Sequence, residues 1–363
     1  MSALKMLISA DWHLDAPFEA LSPALAREMR EDLREIPRRL ADLARERGAD
    51  MLLLPGDLFD AARPYLESAR ALADAFDGLD IPVFIAPGNH DFFAPGSSWD
   101  RARLPAGVHL FCKNELTCVH TEVADVYGAA FTEPRSRGLL QNLTAPRGGK
   151  PNILVLHADL GGGESYGPIA ESELAKSGMD FAALGHIHRL SGLRRAGDTW
   201  WCYPGCPMGR GFDECGARGA ALVTLGTEGC EMEFIELAPR RYEIVQVPVT
   251  GLDAFAALSA AVAETRPGDI CRFVLTGESD RPATARELKA LADEHGLAAA
   301  FLQDRTTPPM AKEGGTLRNE LLRLAETRLA GAETDTARAE IADALRWALA
   351  AIDNAEAPEE VRR

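Results

Sequence analysis

The run Ile81-Pro82-Val83-Phe84-Ile85-Ala86 passes directly into Pro87-Gly88-Asn89-His90-Asp91, and the reading of that junction decides the fold. A short apolar run bounded by turn residues fits a buried strand. Pro-Gly ends it. Asn-His-Asp then places three polar, metal-competent side chains at the carboxyl edge of a sheet, where ligand sites of open α/β sheets collect. One such junction is only a hint. Four other polar clusters in the chain also stand where an apolar run stops.

Upstream, residues 5–10 form an apolar run ending in Asp11-Trp12-His13. Residues 24–47 carry Leu25, Met29, Leu33, Ile36, Leu40 and Leu43 at helical spacing before Gly48, a C-terminal stop. Pro37 inside that pattern should kink or split the helix. Met51–Leu54 is a second strand cut off by Pro55-Gly56-Asp57, and residues 64–76 read as a second helix. Strand, helix, strand, helix, strand is the grammar of a parallel sheet. Downstream, residues 108–112, 116–120 and 123–131 read as meandering strands. Residues 153–156 end in His157, and 181–184 end in Gly185-His186-Ile187-His188. Residues 199–203, 220–225 and 230–237 read as antiparallel strands. The expectation is an α/β (α+β) fold of two packed mixed β-sheets flanked by helices, over residues 1–237. A small α/β domain over 238–310 and a helical segment over 311–363 should follow.

Composition narrows the function. The chain has 363 residues, 46% hydrophobic and 26% charged, as ordinary globular proteins have. No apolar run approaches the roughly 18 residues that span a bilayer, so no membrane role is expected. Residues 1–10 show no secretory pattern, and seven cysteines form no CxxC pair; reduced thiols in a cytoplasmic protein are expected. A net charge of −16 argues against a surface coated in positive charge for nucleic acid. Charge is uneven, however. Residues 134–158 hold Arg135, Arg137, Arg147 and Lys150 with no acid, and residues 181–212 hold Arg189, Arg194, Arg195 and Arg210 against Asp198 alone. Solvated loops explain such windows as well as ligand binding does, and both windows flank candidate site residues. Arg189 and Arg210 are the candidates for substrate contact.

The chemistry assembles from the strand ends. Asp11, His13, Asp57, Asn89, His157, His186 and His188 supply imidazole, carboxylate and one amide oxygen. That set suits Mn²⁺, Fe or Zn²⁺ and neither an all-oxygen Ca²⁺ cage nor a thiolate zinc site. Alternate residues of an extended segment point the same way, so Asp11 with His13, and His186 with His188, can converge. Seven ligands exceed the need of one catalytic ion, whereas two ions sharing Asp57 would use them all. Two cations about 3.5–4 Å apart can clamp attacking and leaving oxygens of a phosphoryl displacement and supply hydroxide near neutral pH. His90, beside a ligand yet not needed as one, is the natural general acid. Singly, each piece is ordinary, since Gly-Asp at a strand end is usually a turn. Jointly the ordinary readings fail, because five of the eight histidines fall at strand ends with Asp11, Asp57 and Asn89. His109, His120 and His295 are left as structural.

Asp11-x-His13, Gly56-Asp57, Gly88-Asn89-His90-Asp91, His157 and Gly185-His186-x-His188 resemble the complete motif series of the calcineurin-like metallophosphoesterases. Within that superfamily the chain is similar to the SbcD-type DNA repair exonucleases, bacterial relatives of the double-strand-break repair nuclease. The similarity rests on Ala10-Asp11-Trp12-His13-Leu14, Gly56-Asp57-Leu58-Phe59, Gly185-His186-Ile187-His188, Tyr203-Pro204-Gly205, Gly211-Phe212-Asp213-Glu214 and Arg218-Gly219. The resemblance implies a helix-flanked β-sandwich and a di-manganese centre. It assigns Asp11, His13, Asp57 and His188 to one ion, and Asp57, Asn89, His157 and His186 to the other, with His90 on the scissile phosphate. It also implies DNA as substrate, a reduced DNA-capping domain after residue 237, and C-terminal helices that dock an SbcC-like coiled-coil ATPase; a homodimer stays open. Asp60 departs from the nuclease pattern, in which histidine stands there. It resembles the phosphatase branch, which implies that Asp60 orients His90. A phosphodiesterase or phosphatase acting on a small nucleotide or other phosphoester is the alternative, and a non-catalytic adaptor that kept the fold is a third.

Overall fold

The structure, a computed structural model, describes residues 3–352 apart from 138, 141–142, 162–165, 280, 308–315 and 333. It divides into two compact units, Met1–Arg241 and Tyr242–Arg363.

Two six-stranded sheets build the first unit. One runs in the order Gly229–Glu236, Gly219–Gly226, Leu4–Ile8, Met51–Leu54, Val83–Ile85, Val108–Leu110. The other runs Arg194–Ala196, Thr199–Cys202, Phe181–Gly185, Asn152–His157, Asp125–Gly128, Thr117–His120. Both are mixed. Strands Leu4–Ile8, Met51–Leu54, Val83–Ile85 and Val108–Leu110 are mutually parallel, as are Thr199–Cys202, Phe181–Gly185, Asn152–His157 and Asp125–Gly128. Period-two alternation sends Met6, Ile8, Met51, Leu53 and Phe84 of the first sheet against Val126, Ile153, Val155, Phe181 and Ala183 of the second in one buried core. Leu154, Leu156, Ala182 and Leu184 face the other way and pack with Leu174 and Met179. Strands buried on both faces read as continuous apolar runs, which is why Leu4–Ile8, Met51–Leu54, Val83–Ile85, Asn152–His157 and Phe181–Gly185 were legible.

Pro37 splits the first helical stretch. Pro23–Arg34 starts from Ser22, whose hydroxyl accepts from the Leu25 amide, and stops at Glu35. Ile36–Arg47 restarts with Pro37 in its first turn, where no intrahelical donor is needed, and ends on Gly48 in the left-handed region. The second expected helix begins at Leu66 and runs to Phe76.

Two expectations need correction. Val108–Leu110 is no meander; it pairs parallel with Val83–Ile85 at the edge of the first sheet. Thr199–Cys202 lies parallel to Phe181–Gly185 and is antiparallel only to the short Arg194–Ala196 strand. Both were misread because parallel and antiparallel partners present the same apolar pattern; only the connection decides.

The second unit carries three parallel strands, Tyr242–Pro248, Ile270–Glu278 and Ala299–Thr307. Helices Ala254–Ala263 and Ala285–His295 join them through a core that includes Val247, Leu258, Phe273 and Leu288. Helices Leu317–Ala330 and Asp335–Ile352 pack on each other through Leu322, Ala325, Leu345 and Leu349. Among the described residues no helix is long and apolar enough to cross a membrane.

Candidate metal centre

Five parallel strands from both sheets release their polar clusters at one end of the sandwich. The loops there are strained. Asp11, His13, Asp57 and His186 adopt φ of 54°, 47°, 50° and 102°, values that side chains other than glycine avoid. Each such residue costs on the order of 1–3 kcal/mol, and such strain clusters at functional sites. Surrounding bonds over-determine it. The amides of Asp11 and His13 donate to the carbonyls of Gly56 and Asp57 at 3.0 Å, so the loops after Leu4–Ile8 and Met51–Leu54 run side by side. The His186 amide donates to Asp11 Oδ1 at 3.0 Å, tying a loop of the second sheet to the first.

Asp91 staples the next loop in place. Its buried carboxylate accepts from the amides of Gly88 (2.7 Å), Leu58 (2.9 Å), Asp57 (3.2 Å) and Phe59 (3.4 Å). Sequence reading grouped Asp91 with the metal-competent side chains; its carboxylate is spent on backbone instead. Gly88 is needed where it stands, because a Cβ there would run into the Asp57 carboxylate and lie 2.8 Å from His157 Nδ1. A Cβ on Gly185 would strike the Pro55 carbonyl.

The imidazole protons can be placed from their partners. His157 Nδ1 lies 3.0 Å from the Pro55 carbonyl, a pure acceptor, so Nδ1 carries the proton and Nε2 the lone pair. That Nε2 faces Asn89 Oδ1 at 2.9 Å and Asp57 Oδ2 at 3.5 Å. His13 Nδ1 donates to Asp60 Oδ1 at 3.0 Å. His188 Nδ1 lies between Glu214 Oε1 at 2.6 Å and an Arg210 nitrogen at 2.9 Å; with Arg210 itself donating to Glu214, the shorter contact, to the carboxylate, is the one the His188 Nδ1–H makes. The Nε2 atoms of His13 and His188, both left with lone pairs, face each other at 3.3 Å. Asp57 Oδ2 is 3.8 Å from His13 Nε2, so this carboxylate stands between the two groups. Asp11 Oδ1 is 3.9 Å from His188 Nε2.

Lone pairs aimed at lone pairs repel unless a cation lies between them. Burial, with Asp57 close by, pushes the Asp11 carboxyl well above the usual range, whereas for Asp57 burial is outweighed by the surrounding histidines, which hold its carboxyl down. Burial also holds His13 and His157 down, and with His157 beside it brings His186 down to about 4; neutral imidazole is the ligand form. The donor set therefore fits two divalent ions, with Asp57 placed to touch both. Asp11, His13 and His188 form one close group, Asp11, Asp57 and His157 another, and the exposed His90 joins His13 and Asp57 in a third. His186 approaches by its ring, 5.3 Å from that of His157, and its nitrogens are in none of the three.

His90 is the exposed member of the cluster. Its Nδ1 lies 3.2 Å from the backbone carbonyl of Asp60, which leaves Nε2 for substrate. Asp60 meets both histidines: its carboxylate hydrogen-bonds His13, and the hydrogen bond to His90 comes from its main-chain carbonyl, with the carboxylate acting on His90 through charge.

Arg210 lies in the site, but its guanidinium is engaged by Glu214 at 2.9 Å and stands 3.6 Å from Asp60. Arg189 is exposed and makes no hydrogen bond or ion pair with the described residues. Arg147 and Arg195 both turn to Asp198, so the basic windows form no single strip at the site. Glu214 was quoted within a motif without a role. Burial opposes its ionisation, yet hydrogen bonds from His188 and Arg210 hold it well below the usual carboxylate range. No periodicity marks such a residue. Tyr203 was missed likewise; its hydroxyl donates to Ala158 O at 2.8 Å and accepts from Leu160 N at 2.9 Å, fixing the chain just past His157.

A two-sheet sandwich with this histidine and carboxylate set at its strand ends defines a dinuclear metal hydrolase of phosphoesters. The profile of the calcineurin-like phosphoesterases matches residues 4–190, and the chain belongs to that family. It is 31% identical over 303 residues to the uncharacterized metallophosphoesterase YhaO of Bacillus subtilis, covering 76% of this chain and 72% of the relative. It is 27% identical over 341 residues to the DNA double-strand break repair protein Mre11 of Methanopyrus kandleri, covering 86% and 72%.

Proposed function

We propose that this chain is a nuclease of the SbcD type, hydrolysing DNA phosphodiesters with two divalent ions, manganese being the expected metal. The observation that carries the reading is the pair of facing lone-pair groups, His13 against His188 and His157 against Asn89, with Asp57 between them. When bound, the ions supply positive charge to the phosphoryl oxygens and make hydroxide available near neutral pH.

The chain's own side chains do the rest. Asp60 and Glu214 fix the tautomers of His13 and His188, so each Nε2 lone pair stays turned inward. Asp91 keeps the Asn89-His90 loop at a set height above Asp57. His90, with Nδ1 tethered to a carbonyl, keeps Nε2 for the substrate and gives its proton to the leaving oxygen as the ester bond breaks. Asn89 holds its amide against the same phosphoryl group. DNA as substrate is supported by the likeness to the Methanopyrus kandleri protein. Residues 242–307 would act as a small capping domain for the duplex. Helices Leu317–Ala330 and Asp335–Ile352, which expose Leu317, Leu324 and Trp347, would dock an SbcC-like ATPase.

One observation favours a smaller substrate. The chain carries a net charge of −16, and no arginine strip lines the site among the described residues. Degradation of linear duplex DNA with Mn²⁺, run beside nucleotide monoesters, separates the two. The expected result is DNA degradation that weakens steeply as salt rises. Indifference to DNA at low salt, with monoesters turned over, would leave the phosphatase reading standing.

A further inference from the structure

The hairpin Thr117–His120 and Asp125–Gly128 at the edge of the second sheet carries another set of metal-ligating side chains. Cys118 and His120 sit two apart on one strand and so share a face. Asp125 is the direct cross-strand partner of His120, and Tyr127 that of Cys118. Side chains paired across an antiparallel ladder meet, and these do. His120 Nδ1 lies 2.8 Å from Asp125 Oδ1 and 3.8 Å from Cys118 Sγ. One ligand atom from each residue falls within 4.8 Å of the others.

We propose that Cys118, His120 and Asp125 form a separate divalent-metal site for an ion of the zinc class, open to water at its fourth position. The spacing fits. Sulfur at about 2.3 Å and nitrogen at about 2.0 Å from a tetrahedral zinc stand roughly 3.5 Å apart, close to the 3.8 Å between Sγ and Nδ1. A thiolate beside an imidazole selects zinc over the harder ions that oxygen-rich sites take. The ring is half-free: Nδ1 turns inward to both partners, and His120 is exposed. Without an ion Nδ1 donates to Asp125 Oδ1, as His13 does to Asp60; when Nδ1 binds, the ring takes its other tautomer, with the single proton on Nε2. Binding then releases one proton, that of the Cys118 thiol. Burial pushes the Cys118 thiol up, and the hydrogen bond with the Tyr127 hydroxyl offsets part of that; the ion itself supplies the charge that holds the thiolate.

The site is remote from the phosphoesterase centre. Asp125 pairs with Asn152, the first residue of the strand whose last residue is His157. Five residues of strand separate them, roughly 16 Å. An ion here touches no substrate; it clips the two arms of an edge hairpin together.

Anaerobic titration with Co²⁺ tests this, because a thiolate on Co²⁺ gives intense near-ultraviolet absorption that imidazole and carboxylate do not. In the wild-type chain that band should reach the intensity of one thiolate-bound ion per chain once the dinuclear centre, which also takes Co²⁺ but holds no thiolate, is filled, and Zn²⁺ should bleach it. Cys118→Ser should abolish it, and Cys112→Ser, which replaces an exposed thiol outside the group, should keep it. Asp125→Asn should weaken the site by about 10–100-fold. His120→Ala, at an exposed position that cannot disturb packing, should lose the band as well. Hydrolysis of bis-p-nitrophenyl phosphate should continue at the wild-type rate in all four variants. Absence of the band at saturating Co²⁺ in the wild type, or its survival in Cys118→Ser, overturns the proposal.

Discussion

Asp60 and Glu214, both within reach of the Arg210 guanidinium, do the same job for two histidines of the centre. Each accepts a hydrogen bond from the Nδ1–H of a histidine, at 3.0 Å for His13 and 2.6 Å for His188, and so decides where the Nε2 lone pair points. Replacing either by its amide keeps the shape but offers nitrogen as readily as oxygen. Asp60→Asn and Glu214→Gln should each weaken metal binding by about 10–100-fold, and raising Mn²⁺ should restore the rate. A rate that stays low at saturating Mn²⁺ would mean these groups act on the substrate instead. His90 calls for the opposite outcome. Its ring is exposed and its Nδ1 rests on a main-chain carbonyl, which leaves Nε2 to serve as the acid, so His90→Ala should lower kcat on bis-p-nitrophenyl phosphate by about 10²–10⁴. Bound metal, counted by elemental analysis, should not change.

At the scale of elements, the centre depends on three loops held in register, and Asp91 is the residue that holds two of them. Four amides donate to its carboxylate. Asp91→Ala leaves those amides buried without an acceptor, and each unsatisfied group costs about 1–3 kcal/mol. The urea midpoint should fall by the equivalent of several kcal/mol, more than for Asp60→Asn. An unchanged midpoint would show that water replaces the carboxylate. This element also marks what was legible in the sequence. Strands with both faces buried announced themselves as apolar runs, and their exits located Asp11, His13, Asp57, Asn89, His157, His186 and His188. Which way Val108–Leu110 and Thr199–Cys202 ran was not legible, because pairing direction leaves no trace in composition. Nor were Asp60, Asp91 and Glu214 in their actual roles. Each acts by touching something far along the chain, His13, Leu58 and His188 respectively, and such contacts follow from the fold alone. His120 was set aside as structural for the same reason: its partner Asp125 lies across a turn.

At the scale of the whole molecule, the two compact units, Met1–Arg241 and Tyr242–Arg363, have separate cores and only the first holds the phosphoesterase donor set. Anything that binds the folded form alone stabilises it by mass action. An ion held at a hundred times its Kd contributes about 2.7 kcal/mol, which for a unit of this size raises Tm by roughly 5–10 °C. Scanning calorimetry in chelator and then in excess Mn²⁺ should show a transition of the first unit that climbs by this amount, or more if both ions are held. The transition of the second unit should stay where it was. His157→Ala should remove the part of the shift that comes from the ion beside Asn89 and Asp57, leaving the part from Asp11, His13 and His188; His90→Ala should leave the whole shift intact. Equal shifts of both transitions would mean that the units unfold together, and no shift at all in the wild type would refute the dinuclear centre itself.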